Sequence, residues 1–319
     1  MLKIGIVSNV YARIVKSDPN YNTRLWYCLG NKGHFEVTKS LTELEEVCKD
    51  FKLRGINLIG IVGGDGTVSL VLSYIYKIYG PQNLPKILLL KSGTINFLAS
   101  NLDLKRPALE TLKRFLELES KGVSIPEKKY YTLLVNNQRL GFVYGSGLIS
   151  AFLSEFYKNK KGPLKAITHA GKLALDALFW GKINGNSENI SRSYPMKITT
   201  KPESFSTESY ESYNLILAST VPKLAFGFHL FRNIDTNIES AQLMTANVKK
   251  TKLVGLLKNI VLGADPTKFK GVGTLNFNSL EITSPEEQFV SLDGDLIELP
   301  ADKKNTLSIG PQFTFCVPD

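Results

Sequence analysis

Apolar residues follow two rhythms along this chain. Short continuous runs at Leu2 to Ser8, Phe35 to Lys39, Asn57 to Val62 and Lys86 to Leu90 read as strands buried on both faces. Between them, apolar positions recur at helical spacing around Tyr21 to Leu29, from Leu41 to Leu53 and from Val68 to Tyr79, and Ser40 with Glu43 has the spacing of a capping box. Strand alternating with helix predicts a mostly parallel, doubly wound sheet, whose ligands bind beyond the strand C-termini.

After a helix ending near Ser120 the rhythm changes. Strand-like runs follow at Tyr130 to Val135, Met196 to Thr200, Asn214 to Ser219, Thr274 to Phe277, Glu281 to Thr283 and Gln288 to Leu292. The expected architecture is an α/β domain over residues 1–125 and an antiparallel, β-rich domain over 126–319, the last strands being free to return to the first domain. Segments 184–193 and 201–211, rich in Asn, Ser and Glu, read as exposed loops.

The 319 residues carry 39 Lys and Arg against 29 Asp and Glu, a formal charge of +10. Residues 158–182 and 247–270 each hold six lysines against one aspartate, and together account for that whole excess. In both, lysine is interleaved with Leu, Ile, Val, Phe or Trp, so the expectation divides between surface helices docked by apolar faces and an anionic membrane surface as partner. No nucleic-acid motif accompanies the lysines, which argues against nucleic acid as a partner. Cys28, Cys48 and Cys316 have no metal-binding spacing, and no apolar run reaches the length of a membrane span. A reducing, cytoplasmic setting with reversible attachment to a membrane surface is expected. Trp26 and Trp180 are candidate core or interfacial anchors, and His34, His169 and His229 are too scattered for a metal triad.

The sharpest chemical signal is IGIVGGDGTVSLVL, residues 59–72. A strand running into Gly63, Gly64, Asp65, Gly66 and Thr67 and then a helix makes an anion cradle: glycine lets the backbone approach phosphate oxygens, and the helix start offers unpaired N–H groups. A carboxylate in that cradle suits a bound metal or a substrate hydroxyl. The pattern is neither a P-loop nor GxGxxG. After the fourth strand, Gly93, Thr94 and Asn96 form a second strand-to-helix turn at the same sheet edge.

The two turns resemble those of the lipid kinase superfamily of diacylglycerol, sphingosine and ceramide kinases and the bacterial enzymes related to them. FEVTKSLTELEEV is similar to the segment where that family places a nucleotide-contacting threonine, here Thr38. SGTINFLASNLDL is similar to the GTxND stretch, LGFVYGSGLISAF to the strand and glycine turn opening the second domain, and SLDGDLIELP to the late DGE motif. The chain departs from the pattern at Ser8-Asn9-Val10 in place of Asn-Pro, at Phe97 in place of an aspartate and at Asp295 in place of a glutamate. The family's DGxxD, associated with a structural magnesium, is largely lost around Asp235, and no metal site is carried over.

The resemblance implies a doubly wound α/β domain followed by an antiparallel β-sandwich with the active site in the cleft between them, and an ATP- and Mg²⁺-dependent kinase that phosphorylates a lipid hydroxyl such as that of diacylglycerol or a sphingoid lipid. Thr38, Gly63, Gly64, Asp65, Gly66, Thr67, Gly93, Thr94 and Asn96 would hold the nucleotide, with Asp295 as proton acceptor and Asp65 as the metal or nucleotide organiser or the competing base. Two other readings stand beside it: an NAD-kinase-like enzyme, since GGDGT is shared with that family, and a catalytically weak lipid-binding protein that keeps the fold.

Overall fold

The computed structural model describes residues 2–93, 96–150, 153, 193–201, 206–207, 209–224, 229–232, 234–248, 252 and 264–319. The first part of the chain runs β1 (Ile4–Asn9), α1 (Arg13–Ser17), α2 (Tyr21–Leu29), β2 (Gly33–Thr38), α3 (Leu41–Leu53), β3 (Leu58–Gly63), α4 (Asp65–Tyr79), β4 (Lys86–Lys91), α5 (Phe97–Asn101) and α6 (Ala108–Ser120). β1, β2, β3 and β4 pair in parallel in the order β2, β1, β3, β4. Helices cover both faces. Leu44, Cys48 and Phe51 of α3 and Val68, Leu72 and Ile75 of α4 pack on one side with Ile59, Ile61 and Leu89. On the other, Leu25 and Leu29 of α2 and Leu112 and Phe115 of α6 cover Ile6, Leu58 and Leu90. One half of the capping box is present, Ser40 Oγ accepting from the N–H of Glu43 at 3.2 Å, while Glu43 Oε2 reaches one residue past the N-cap and accepts from the N–H of Lys39 at 2.9 Å; the Ser40 cap contributes about 1 kcal/mol to α3.

The later strands are β5 (Glu127–Val135), β6 (Arg139–Gly141), β7 (Val143–Gly147), β8 (Tyr194–Lys201), β9 (Glu211–Tyr213), β10 (Leu215–Ser219), β11 (Ala241–Ala246), β12 (Val272–Phe277), β13 (Ser279–Thr283), β14 (Gln288–Leu292), β15 (Asp295–Leu299) and β16 (Asn305–Cys316). One antiparallel sheet has the order β12, β11, β10, β7, β14, β15. β16 instead extends the parallel sheet: Phe315 and Cys316 pair in parallel with Ile87 and Leu88 of β4, while the strand pairs antiparallel with β5 and β13. The main sheet therefore continues across the connection between α6 and β5.

Three expectations are corrected. α4 begins at Asp65, three residues before Val68, because Gly64 takes the extended N-cap conformation and Asp65, Gly66 and Thr67 already have helical backbone. Segment 201–211 is not wholly an exposed loop: Thr207 is buried, its N–H donating to Ile198 O at 3.0 Å and its hydroxyl accepting from Ile198 N at 2.9 Å. Trp26 lies 52% exposed on α2 rather than in the core. Of the two lysine-rich stretches, 158–182 lies outside the described residues, as do Trp180, His169 and the loop 184–192, and 247–270 is described only at 247–248, 252 and 264–270. Among the described residues no helix is long and apolar enough to cross a membrane.

Candidate active site

The order β2, β1, β3 reverses direction between β1 and β3, so a crevice opens beyond the C-terminal ends of these strands. There a cleft of about 210 Å³ is lined by Asn9 at the end of β1, Thr38 at the end of β2, Ser40 and Leu44 of α3, and Thr67 and Val71 of α4. Its floor is aliphatic and its rim carries hydroxyls and amides, the balance usual in small-molecule sites. Asn9 Nδ2 donates to Thr67 Oγ1 at 2.9 Å, so the first βα turn touches the glycine motif directly.

The glycines are explained by contact. A Cβ on Gly63 would lie 2.4 Å from the Thr67 side chain, and one on Gly93 would lie 2.5 Å from the Gly64 Cα, because the two turns meet backbone to backbone. Asn96, in the left-handed region at φ 49°, closes its own turn: Oδ1 accepts from Gly93 N at 3.1 Å, and Nδ2 donates to Gly93 O at 2.8 Å. Thr94 lies outside the described residues.

Asp65 joins the turns. Its carboxylate accepts from the N–H groups of Phe97 and Leu98 at 3.3 and 3.2 Å, capping α5 from the first turn of α4. Loss of solvent raises its pKa to about 6, offset by those backbone donors. Phe97, where the family has an aspartate, is buried in the core beside α4.

Asp295 arrives from the other sheet. Leu292 pairs with Asp295 across the β14–β15 hairpin, and Asp293 and Gly294 form its two-residue turn with φ of 52° and 93°, values that suit an Asp-Gly turn. The Asp295 carboxylate lies against the GGDGT helix start: a Cβ on Gly66 would fall 2.9 Å from Oδ1 and 3.0 Å from Oδ2. Arg139 of β6 forms an ion pair with Asp295 Oδ2.

Two members of this cluster were not singled out by sequence reasoning. One is Arg139; the other is Asp293, which that reasoning treats only as a turn residue. Asp293 is buried, and its carboxylate accepts from Phe142 N at 3.0 Å and Val143 N at 2.9 Å. Desolvation lifts its pKa to about 8; the backbone donors and Arg139 oppose the rise, and the charge of Asp65 adds to it. The DG dipeptide was the available signal for the turn. Nothing local marks Arg139, whose partner is 156 residues away.

Residues 27–126 match the family model of the diacylglycerol kinase catalytic domain, a span that includes Thr38, both glycine turns and Asp65. Over those 100 residues, about a third of its length, the chain is similar to that catalytic domain. A solved structure of a diacylglycerol kinase from Bacillus anthracis str. Sterne covers 98% of this chain and 96% of its own at TM-score 0.65 and 17% identity. A second from that organism, provisionally named a diacylglycerol kinase, reaches TM-score 0.72 at 18% identity over 98% of this chain and 94% of its own. These two likenesses show that the chain shares the fold of those structures along nearly its whole length. No curated protein matches the chain.

Proposed function

We propose that this protein is a lipid kinase of the diacylglycerol kinase-like kind, which transfers the γ-phosphate of ATP to a hydroxyl of a membrane lipid such as diacylglycerol or a sphingoid-type lipid. The observation that carries the reading is the convergence of the GGDGT helix start, the Gly93 turn and the Asp295 carboxylate at one edge of the parallel sheet, beside a cleft of small-ligand size.

The residues fit a nucleotide. Gly63, Gly64, Gly66 and Gly93 let the two turns and the Asp295 carboxylate meet in contact, the N-terminus of α4 favours negative charge, and Asn9, Thr38 and Thr67 supply polar groups along the cleft. Mg²⁺ in such sites is held mainly by phosphate oxygens with one or two carboxylates. Asp295, and Asp65 at the edge of the cradle, are the carboxylates available; among the described residues no cluster of three ligating side chains occurs. When bound, the metal neutralises phosphate charge.

Asp295 is the proton acceptor in this reading. Asp65 is committed to the α5 N–H groups and Asp293 to those of Phe142 and Val143, whereas Asp295 belongs to a hairpin end against Gly66. As the acceptor oxygen bonds to the γ-phosphorus and the bond to the leaving ADP oxygen breaks, its proton passes to Asp295. Asp65 then acts as organiser, through the second turn.

The test is incubation with γ-labelled ATP and Mg²⁺ and either mixed micelles of diacylglycerol, sphingoid base, ceramide and monoacylglycerol or soluble NAD. Label in a lipid is expected. Label in NAD alone would overturn the reading, and vesicle binding without any label would favour a non-enzymatic lipid binder.

A further inference from the structure

We infer that Arg139 is a positioning residue, whose guanidinium fixes the Asp295 carboxylate in the attitude from which it takes the acceptor proton. The inference rests on the assignment of Asp295 as base.

Arg139 is mounted on a clamped segment. The N–H of Leu140 donates to Ser73 Oγ at 2.9 Å, and its carbonyl accepts from Ser69 Oγ, so two hydroxyls of α4 hold the backbone next to Arg139. On the far side, Phe142 and Val143 donate to the Asp293 carboxylate in the turn that precedes Asp295. The guanidinium is thus referenced both to the helix that begins with the phosphate cradle and to the hairpin that delivers the base.

The burial of the pair is asymmetric. The Arg139 side chain is 22% exposed and that of Asp295 43%. Arg139 Nε is buried with no hydrogen-bond partner among the described residues, which costs stability, while a partly exposed ion pair returns little. Stability alone does not account for such an arrangement; aiming a carboxylate does. Arg139 engages Oδ2, and among the described residues Oδ1 has no hydrogen-bond partner, leaving that oxygen for the hydroxyl. The proton moves from the acceptor oxygen to Oδ1 as the new O–P bond forms and the ADP oxygen departs.

A kinetic double-mutant cycle tests this on the full chain with ATP, Mg²⁺ and the lipid micelle that accepts label. Arg139→Gln should lower kcat by about 10- to 100-fold, the effect of misplacing a reacting group by an ångström, with KM for ATP within about twofold of the parent. Arg139→Lys, keeping charge but losing the planar fork, should recover part of kcat. In an Asp295→Asn background, Arg139→Gln should leave the residual turnover unchanged. An equal fold-loss in both backgrounds, or a loss carried by KM for ATP, would overturn the inference while leaving Asp295 as base. Full turnover by Asp295→Asn would overturn the base assignment and this inference with it. Thermal midpoints are recorded for each variant; should Arg139→Gln fail to fold, the cycle is completed with Arg139→Lys, judged by the same criteria.

Discussion

Gly66 separates packing from catalysis. It occupies a helical position, where replacing glycine by alanine ordinarily stabilises by about 1 kcal/mol, yet its Cβ would strike the Asp295 carboxylate. Gly66→Ala should keep or raise the thermal midpoint and cut turnover at least about tenfold; unchanged turnover would remove Asp295 from the reacting centre. Asp293 makes a different prediction. Its pKa in the fold, about 8, stands above that of the unfolded chain, as does that of Asp65 at about 6. Between roughly pH 4 and 8 the folded state holds protons that the unfolded state has released, so these groups make stability fall as pH rises. Asp293→Asn, which keeps an acceptor for Phe142 and Val143, should shrink the drop in urea midpoint that these two groups cause between pH 5 and 8 by roughly three quarters. A drop of the same size would show that Asp293 titrates normally. At this scale the glycine turns, Thr38, Thr67 and Asp65 were legible because each lies in a local pattern. Arg139 and the committed Asp65 carboxylate were not, because their meaning lies in partners from distant strands.

Among the elements, α4 does two jobs. Its first turn meets Gly93 and Asp295, and one turn further on Ser69 and Ser73 hold β6. Removing both hydroxyls, Ser69→Ala with Ser73→Ala, should cost about 1 kcal/mol per bond in urea unfolding and lower kcat more than it alters KM for ATP; parent-like kinetics would show that the clamp is structural only. Periodicity found β2, α2, α3 and β14 nearly to the residue. It missed β6, which at Arg139–Gly141 is too short to show a period, and β11, whose AQLMTA suits a helix equally well. It also missed β16, where Gly310-Pro311 reads as a break; the strand passes through by a register shift between Ile309 and Gln312, with Thr132 Oγ1 donating to Pro311 O. The start of α4 was displaced because glycine reads as a turn even where a neighbouring carboxylate excludes any larger residue.

For the molecule as a whole, the distribution of charge suits the membrane-lipid acceptor proposed above. The net +10 arises in two lysine-rich stretches, and at an anionic bilayer each lysine adds about 1 kcal/mol, screened by salt. Sedimentation with phosphatidylserine vesicles should therefore fall steeply between about 0.05 and 0.5 M salt; salt-insensitive binding would return the charge to a role in solubility. The placement of β16 has a further consequence. The centre of the main sheet, between β4 and β13, is filled by residues 305–316, so during synthesis β4 waits with an open edge for a partner more than two hundred residues behind it. Such non-local closure is slow and leaves a strand edge exposed to other chains. A ribosome-stalled chain ending before residue 305 should be protease-sensitive throughout its parallel sheet, and the cleft between Thr38 and Thr67 should become ligandable only after the last strand has slotted home.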